Sequence, residues 1–179
     1  MMNRFLVMIL ALIGHAMAAA TTVSVMDSKG AKGEMVKVPI NIAGALNLGA
    51  MGIVLSYDPA VIKGTGVERG TLAPNVIVES NEISPGNMRI SIADSRGVSG
   101  DGTIVEVNFE VKGDAGSSSQ IDIKTTGYDS NLLDVQMTTK AGRFTVEEAG
   151  LPIIQITVVA IVVLLIVISA YKKISKKEQ

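Results

Sequence analysis

The sequence predicts an all-β protein: a single antiparallel β-sandwich of about nine strands, jelly-roll-like, followed by a C-terminal transmembrane helix. Three observations predict it. Apolar and polar residues alternate over four long stretches in the middle of the chain, and period two marks a strand with one buried face. Short breaks rich in Gly, Pro, Asp and Ser, carrying turn chemistry, separate these stretches. After residue 150 the pattern changes to an apolar run with lysines on one flank, as a membrane span requires.

At the N-terminus, Met1 to Arg4 is short and positive, Phe5 to Ile13 is apolar, and Ala16-Met17-Ala18 and Ala18-Ala19-Ala20 are small-x-small sites. Residues 1–20 read as a secretory signal peptide, cleaved before Ala19 or Thr21. Residues 21–148 then form one ectodomain, enough for one core and too little for two.

The strongest strand signals within it run in order. Val36, Val38, Ile40 and Ile42 alternate with Lys37, Pro39 and Asn41. Met51, Ile53, Leu55 and Tyr57 alternate with Ala50, Gly52, Val54 and Ser56. Met88, Ile90 and Ile92 alternate with Arg89, Ser91 and Ala93, and Val105, Val107, Phe109 and Val111 with Glu106, Asn108 and Glu110. Shorter candidates are Val23–Met26, Val61–Gly64, Val76–Glu79, Ile121–Lys124 and Arg143–Val146. Turns are expected at Ser28-Lys29-Gly30, Tyr57-Asp58-Pro59, Ser84-Pro85-Gly86, Gly100-Asp101-Gly102 and Lys112-Gly113-Asp114, with a polar loop over Gly113–Gln120. Pro39 cannot donate to a ladder, which places its strand at an edge or beside a bulge.

Leu151 to Tyr171 carries no charge, and Lys172, Lys173, Lys176 and Lys177 follow at once. At about 1.5 Å rise per residue, roughly twenty such residues cross a hydrocarbon core of about 30 Å. Helix satisfies every backbone polar group within the span. The lysines place residues 172–179 in the cytoplasm as a basic tail and the ectodomain outside the cell. The expected localisation is therefore a single-pass cell-membrane protein, with Glu147-Glu148-Ala149-Gly150 as a very short stalk.

Composition then narrows the chemistry. Residues 21–148 carry 11 Lys and Arg against 16 Asp and Glu, a net of −5, so there is no basic surface to attract nucleic acid. Cysteine is absent and the one histidine, His15, lies in the signal peptide. Cys/His zinc sites, Ser-His-Asp triads and Cys-His pairs are excluded. No glycine-rich phosphate loop stands between a strand and a helix. Acids are plentiful enough for a glycosidase pair, but the ectodomain's aromatic residues are only Tyr57, Phe109, Tyr128 and Phe144, with no tryptophan to build a sugar platform. The expectation is a non-enzyme without a cofactor. Asp94, Asp101, Asp129 and Asp134 lack EF-hand spacing for calcium, and Asp58 reads as a turn residue.

Several motifs carry a family resemblance. Gly33-Glu34-Met35-Val36-Lys37-Val38-Pro39-Ile40-Asn41-Ile42 resembles the second-strand motif of cohesin modules, and Leu48 to Pro59 resembles their third strand with its tyrosine-aspartate-proline turn. Gly100-Asp101-Gly102-Thr103 with Val105–Lys112 resembles the strand after their central loop, and Gly142-Arg143-Phe144-Thr145-Val146 their closing strand. The resemblance implies a non-catalytic cell-surface receptor that tethers dockerin-bearing exported proteins, with calcium held in the partner's loops. It implies a binding sheet bearing Ala50, Gly52, Val54, Ser91 and Leu133. In well-studied cohesins the positions of Ala50 and Gly52 carry Asn or Asp, and the position near Ser91 is often apolar. Because the superfamily includes cellulose-binding modules, a membrane-anchored carbohydrate-binding module is one alternative, and a structural subunit of an envelope complex another.

The small, uncharged face of Ala50, Gly52, Val54 and Ser56 permits two explanations. It is either a floor that a partner helix approaches closely or a strand covered by a neighbouring loop.

Overall fold

A computed structural model describes residues 20–150 and, beyond them, Ile161, Val162, Leu164 and Ile166, which are helical. Residues 1–19 of the expected signal peptide, the expected basic tail and most of the expected membrane helix lie outside the described residues. Among the described residues no helix is long and apolar enough to cross a membrane.

The chain forms nine strands: β1 (Thr21–Val25), β2 (Ser28–Ala31), β3 (Met35–Ser56), β4 (Ile62–Arg69), β5 (Ile77–Ser84), β6 (Asn87–Val111), β7 (Ser118–Asp129), β8 (Met137–Lys140) and β9 (Gly142–Glu147). Two of them organise the fold. β3 and β6 run antiparallel along their whole lengths, Met35 opposite Glu110 and Ser56 opposite Asn87. The first half of β3 and the second half of β6 form a sheet in the order β8-β1-β3-β6-β4. Their other halves form a second sheet in the order β5-β6-β3-β7-β9-β2. Register shifts between Ile40 and Ala50 mark where both strands turn from one sheet into the other, as bulges allow. Gly44, Asn47, Gly97, Gly100 and Gly102 adopt positive φ in this corner, and Gly44 N–H donates to Asp101 Oδ1 at 2.6 Å.

This continuity corrects the expectation of separate strands at Val36–Ile42 and Met51–Tyr57, and at Met88–Ile92 and Val105–Val111. Gly100-Asp101-Gly102 is a bend inside β6, because cross-strand pairing continues on both sides of it. Ser28-Lys29-Gly30, expected as a turn, lies within β2, and β8 was not legible as a strand. The expected polar loop ends early, since Ser118 begins β7.

The sandwich is also not purely antiparallel. β1 pairs parallel with β8 and β2 parallel with β9, because the two ends of the domain run side by side through both sheets. Thr22 and Thr138 join them by a hydroxyl–hydroxyl hydrogen bond of 2.9 Å, and Arg143 N–H donates to Asp27 Oδ1 at 2.8 Å. Gly142 sits where they switch sheets, and a Cβ there would lie 2.7 Å from the Val25 carbonyl oxygen.

Pro39 lies in the interior of its sheet, flanked by β6 and by the end of β1. Its carbonyl accepts Met26 N–H at 3.0 Å. Its nitrogen therefore points to the same side, where β1 has already ended at Val25. The donor that proline lacks would have met the Met26 carbonyl, which instead accepts Ser28 Oγ–H at 3.3 Å. A register shift follows at Ile40/Asn41.

Inward residues of both sheets merge into one core containing Val38, Ile40, Val107, Ile53, Leu55 and Ile90. Tyr57 bridges the sheets, its ring meeting Phe109 edge-on at 5.0 Å and 85°. Its hydroxyl accepts Gly64 N–H at 3.1 Å, and burial pushes its pKa up.

Candidate functional site

Alternation in β3 turns Met51, Ile53 and Leu55 into the core and leaves Ala50, Gly52, Val54 and Ser56 on the outer face of the second sheet, half-buried between the flanking strands. Strand register builds this face in four rows. Ala50 lies between Ala93 and Tyr128, with Ile77 beyond Ala93. Gly52 lies between Ser91 and Thr126, with Glu79 at the edge. Val54 lies between Arg89 and Lys124, and Ser56 between Asn87 and Asp122. The sheet thus brings Ala50, Gly52, Val54 and Ser91 onto one surface.

Gly52 decides whether that surface is covered. A Cβ built on Gly52 meets only Thr126 Oγ1, at 3.0 Å, and no other heavy atom within 4 Å beyond its chain neighbours. Among the described residues no loop lies over it, which removes the explanation of small residues chosen to fit beneath one. By contrast, a Cβ on Gly49 would run into the backbone of Ser130 at 2.8 Å. The openness continues as a groove of about 380 Å³ lined by Gly52, Val54, Arg89, Lys124 and Thr126 together with backbone neighbours.

The row of Ala50 forms an apolar end. Ile77 is 65% exposed and Tyr128 44% exposed. Leu133 follows β7 in a short hairpin, in which Tyr128 and Asp134 form an antiparallel bridge and the Leu133 carbonyl accepts Asp129 N–H at 2.9 Å. Asp129 builds the turn. Its Oδ1 accepts Asn131 and Leu133 N–H, each at 2.8 Å, and these contacts, Leu133 first, hold its carboxyl below the usual range. The turn displays Leu132 at φ 64° and 81% exposed, beside Leu133 at 65%. A leucine in left-handed conformation is strained by about 1–2 kcal/mol, and the Asp129 contacts hold it there.

Of the other candidates, Asp58 is a turn residue: its Oδ1 accepts Ala60 N–H at 2.8 Å and its carbonyl accepts Val61 and Ile62 N–H. Tyr57 and Tyr128 cannot form a sugar platform together, because Tyr57 is in the core. No group of three or more metal-ligating side chains occurs among the described residues. The register adds Ile77, Arg89, Lys124 and Tyr128 to the face that the sequence assigned to Ala50, Gly52, Val54 and Ser91. Alternation already turned Arg89 outward, but nothing local paired it with Val54.

Comparison with known proteins bears on the family and the fold. The family model of the cohesin domain matches residues 21–146. Cellulose-binding protein A of Clostridium cellulovorans is 25% identical over 143 residues, 75% of this chain and 8% of that protein, so the chain spans a small fraction of that relative's length. A non-cellulosomal cohesin from the archaeon Archaeoglobus fulgidus superposes with a TM-score of 0.65 at 29% identity, covering 72% of this chain and 91% of that one. The sixth cohesin of Acetivibrio cellulolyticus scaffoldin B, solved in complex with a Cel5 dockerin mutant, gives a TM-score of 0.65 at 23% identity, covering 72% and 99%. Cohesin domains are non-catalytic protein–protein interaction modules, and by its matched residues, its paired long strands and its superposition this chain belongs to the cohesin domain family.

Proposed function

We propose that the outer face of the β5-β6-β3-β7 sheet docks a dockerin module carried by another exported protein, and that the C-terminal apolar segment holds the pair at the membrane. The observation that carries the docking surface is the uncovered floor at Gly52, side-chain-free at its centre and flanked in the row of Ala50 by exposed Ile77 and Tyr128. Solved cohesins captured with dockerins support the partner class. The membrane reading rests on the charge-free Leu151–Tyr171 and the lysines after it.

The test is capture of calcium-loaded, dockerin-bearing proteins from the source organism by the full-length chain, with and without chelator, for wild type and Gly52→Arg. Binding lost on chelation and in Gly52→Arg is the expected result. A folded Gly52→Arg protein that captures the same dockerin undiminished moves the site elsewhere. Protease shaving of intact cells tests the topology: release of the ectodomain with protection of the Lys172–Gln179 tail is expected, and cleavage of that tail would reverse the orientation.

A further inference from the structure

On the row at Val54 two cations flank a single position of β3. Lys29, Lys32, Lys37, Arg96 and Lys112 each have a carboxylate partner within 4.0 Å. Among the described residues no ion pair involves Arg89, Lys124, Lys63, Arg69, Lys140 or Arg143, and of these six only Arg89 and Lys124 flank the same strand position. Both stand directly opposite Val54, one on β6 and one on β7. Two strand spacings separate them, about 10 Å, which is also about the diameter of an α-helix with its side chains. Between them lie the short side chain of Val54 and, one pair along, Gly52, which has none. Asp122 is opposite Ser56 and accepts the Gln120 amide at 2.6 Å, while Glu79 is at the sheet edge opposite Ser91.

Resting on the reading of this face as the docking surface, we propose that its partner is selected by charge: a docking helix that places an Asp or Glu carboxylate in the groove over Gly52 and Val54, between Arg89 and Lys124. A carboxylate placed there is flanked by two cations, which favours its charged form. The hydroxyls of Ser91 and Thr126, flanking Gly52, add donors to the same notch. The open floor lets the helix backbone come close, and the apolar end at Tyr128 lies four residues along the strand from Lys124, about 14 Å away. The partner helix therefore carries apolar residues at one end of its contact stripe and an acid farther along it. In a domain of net −5, two cations side by side on the docking face favour an acidic partner there.

The test uses three synthetic helical peptides with the same apolar stripe and Glu, Gln or Lys at the central position, titrated by NMR against the full-length protein and its Arg89→Gln/Lys124→Gln variant. The Glu peptide is expected to bind about tenfold more tightly than the Gln peptide at low salt and the Lys peptide most weakly, with the Glu preference shrinking in high salt as screening shortens. In the double variant Glu and Gln peptides should bind within twofold of each other, while the Gln peptide's affinity stays at its wild-type value. Equal binding of Glu and Gln peptides to the wild type, a Glu preference that survives in the double variant, or no binding by any peptide overturns the proposal. Failure of the docking surface itself reads out separately, as undiminished dockerin capture by Gly52→Arg. Failure of the acid alone leaves capture lost in Gly52→Arg but unaffected in Arg89→Gln/Lys124→Gln.

Discussion

The two outer faces of the sandwich are built from halves of the same two strands and differ in what they leave unfinished. On the first sheet Lys37 donates to Glu68 at 2.7 Å and lies 3.9 Å from Glu106, and Asn108 Nδ2–H donates to the other Glu68 oxygen at 3.0 Å. Nearby, Asn41 Oδ1 accepts Thr103 Oγ1–H at 2.8 Å. The centre of that face is internally paired. On the second sheet the centre is Gly52 and Val54, the flanking cations have no ion pair among the described residues, and apolar side chains stand exposed at one end. Exposed ion pairs contribute little stability, typically under about 1 kcal/mol, so the first face is not notably stronger. It offers less that a partner could complete, and this is the useful difference.

The largest expected effect tests that contrast directly. Gly52→Arg should lower dockerin affinity at least about a hundredfold, since it fills the centre of an interface that depends on close packing. Ala43→Arg, exposed on the first sheet, should change it less than twofold, and both variants should keep a strand-type circular dichroism spectrum. Ala43 is a cleaner control than Lys37, whose reversal to Glu would set a third carboxylate beside Glu68 and Glu106. Equal losses from Gly52→Arg and Ala43→Arg would erase the distinction between the faces.

Next in size are the apolar anchors. Tyr128→Ala or Leu133→Ala should each weaken binding by about tenfold, as buried anchors at interfaces do, with thermal stability little changed because both are exposed. Calorimetry showing unaltered affinity in both would confine the contact to the Gly52 end.

Acid should act on the faces differently. Glu68 is lowered by its bonds from Lys37 and then Asn108, and Asp129 chiefly by Leu133 N–H. Each depressed carboxylate stabilises the fold above its unfolded pKa and loses that contribution as pH falls through its lower folded value. The Leu132–Leu133 turn should therefore keep its protected amides until the pH is below the ordinary Asp range of about 3.9. Asp129→Asn should loosen it at neutral pH, seen as faster amide exchange at Asn131 and Leu133. In the same experiment Lys37→Gln should raise the Glu68 midpoint without touching the turn. Movement of both by either substitution would show the faces to be coupled.

The smallest effect concerns what the second sheet costs. Thr125 Oγ1, beneath the face and opposite Ile53, is the one buried side-chain polar atom without a partner among the described residues. Thr125→Val should raise stability by about 1 kcal/mol, removing an unmet hydrogen-bonding group at constant shape, and raise Tm by about 3 °C. A lowered Tm would mean that the hydroxyl has a partner in solution.

What the sequence determined by itself is local. Alternation assigned Met51, Ile53 and Leu55 to the core and Ala50, Gly52 and Val54 to the outside, because side-chain direction in a strand depends only on position along it. The Tyr57-Asp58-Pro59 turn was readable for the same reason: its bonds run over four residues. The motifs strung between these segments were enough to show the family. Tertiary structure alone decided which segments became neighbours. Arg89 and Lys124 are far apart in the chain, and only the register of β6 and β7 on β3 sets them on either side of Val54. The same holds for β3 and β6 running through both sheets, for the parallel pairing of the two ends of the domain, and for β8, whose Met137–Lys140 has too little apolar alternation to announce a strand and exists because β1 offers it an edge. Pairing between distant segments is fixed by the shared core and by cross-strand hydrogen bonds, and no period in a single sequence encodes it.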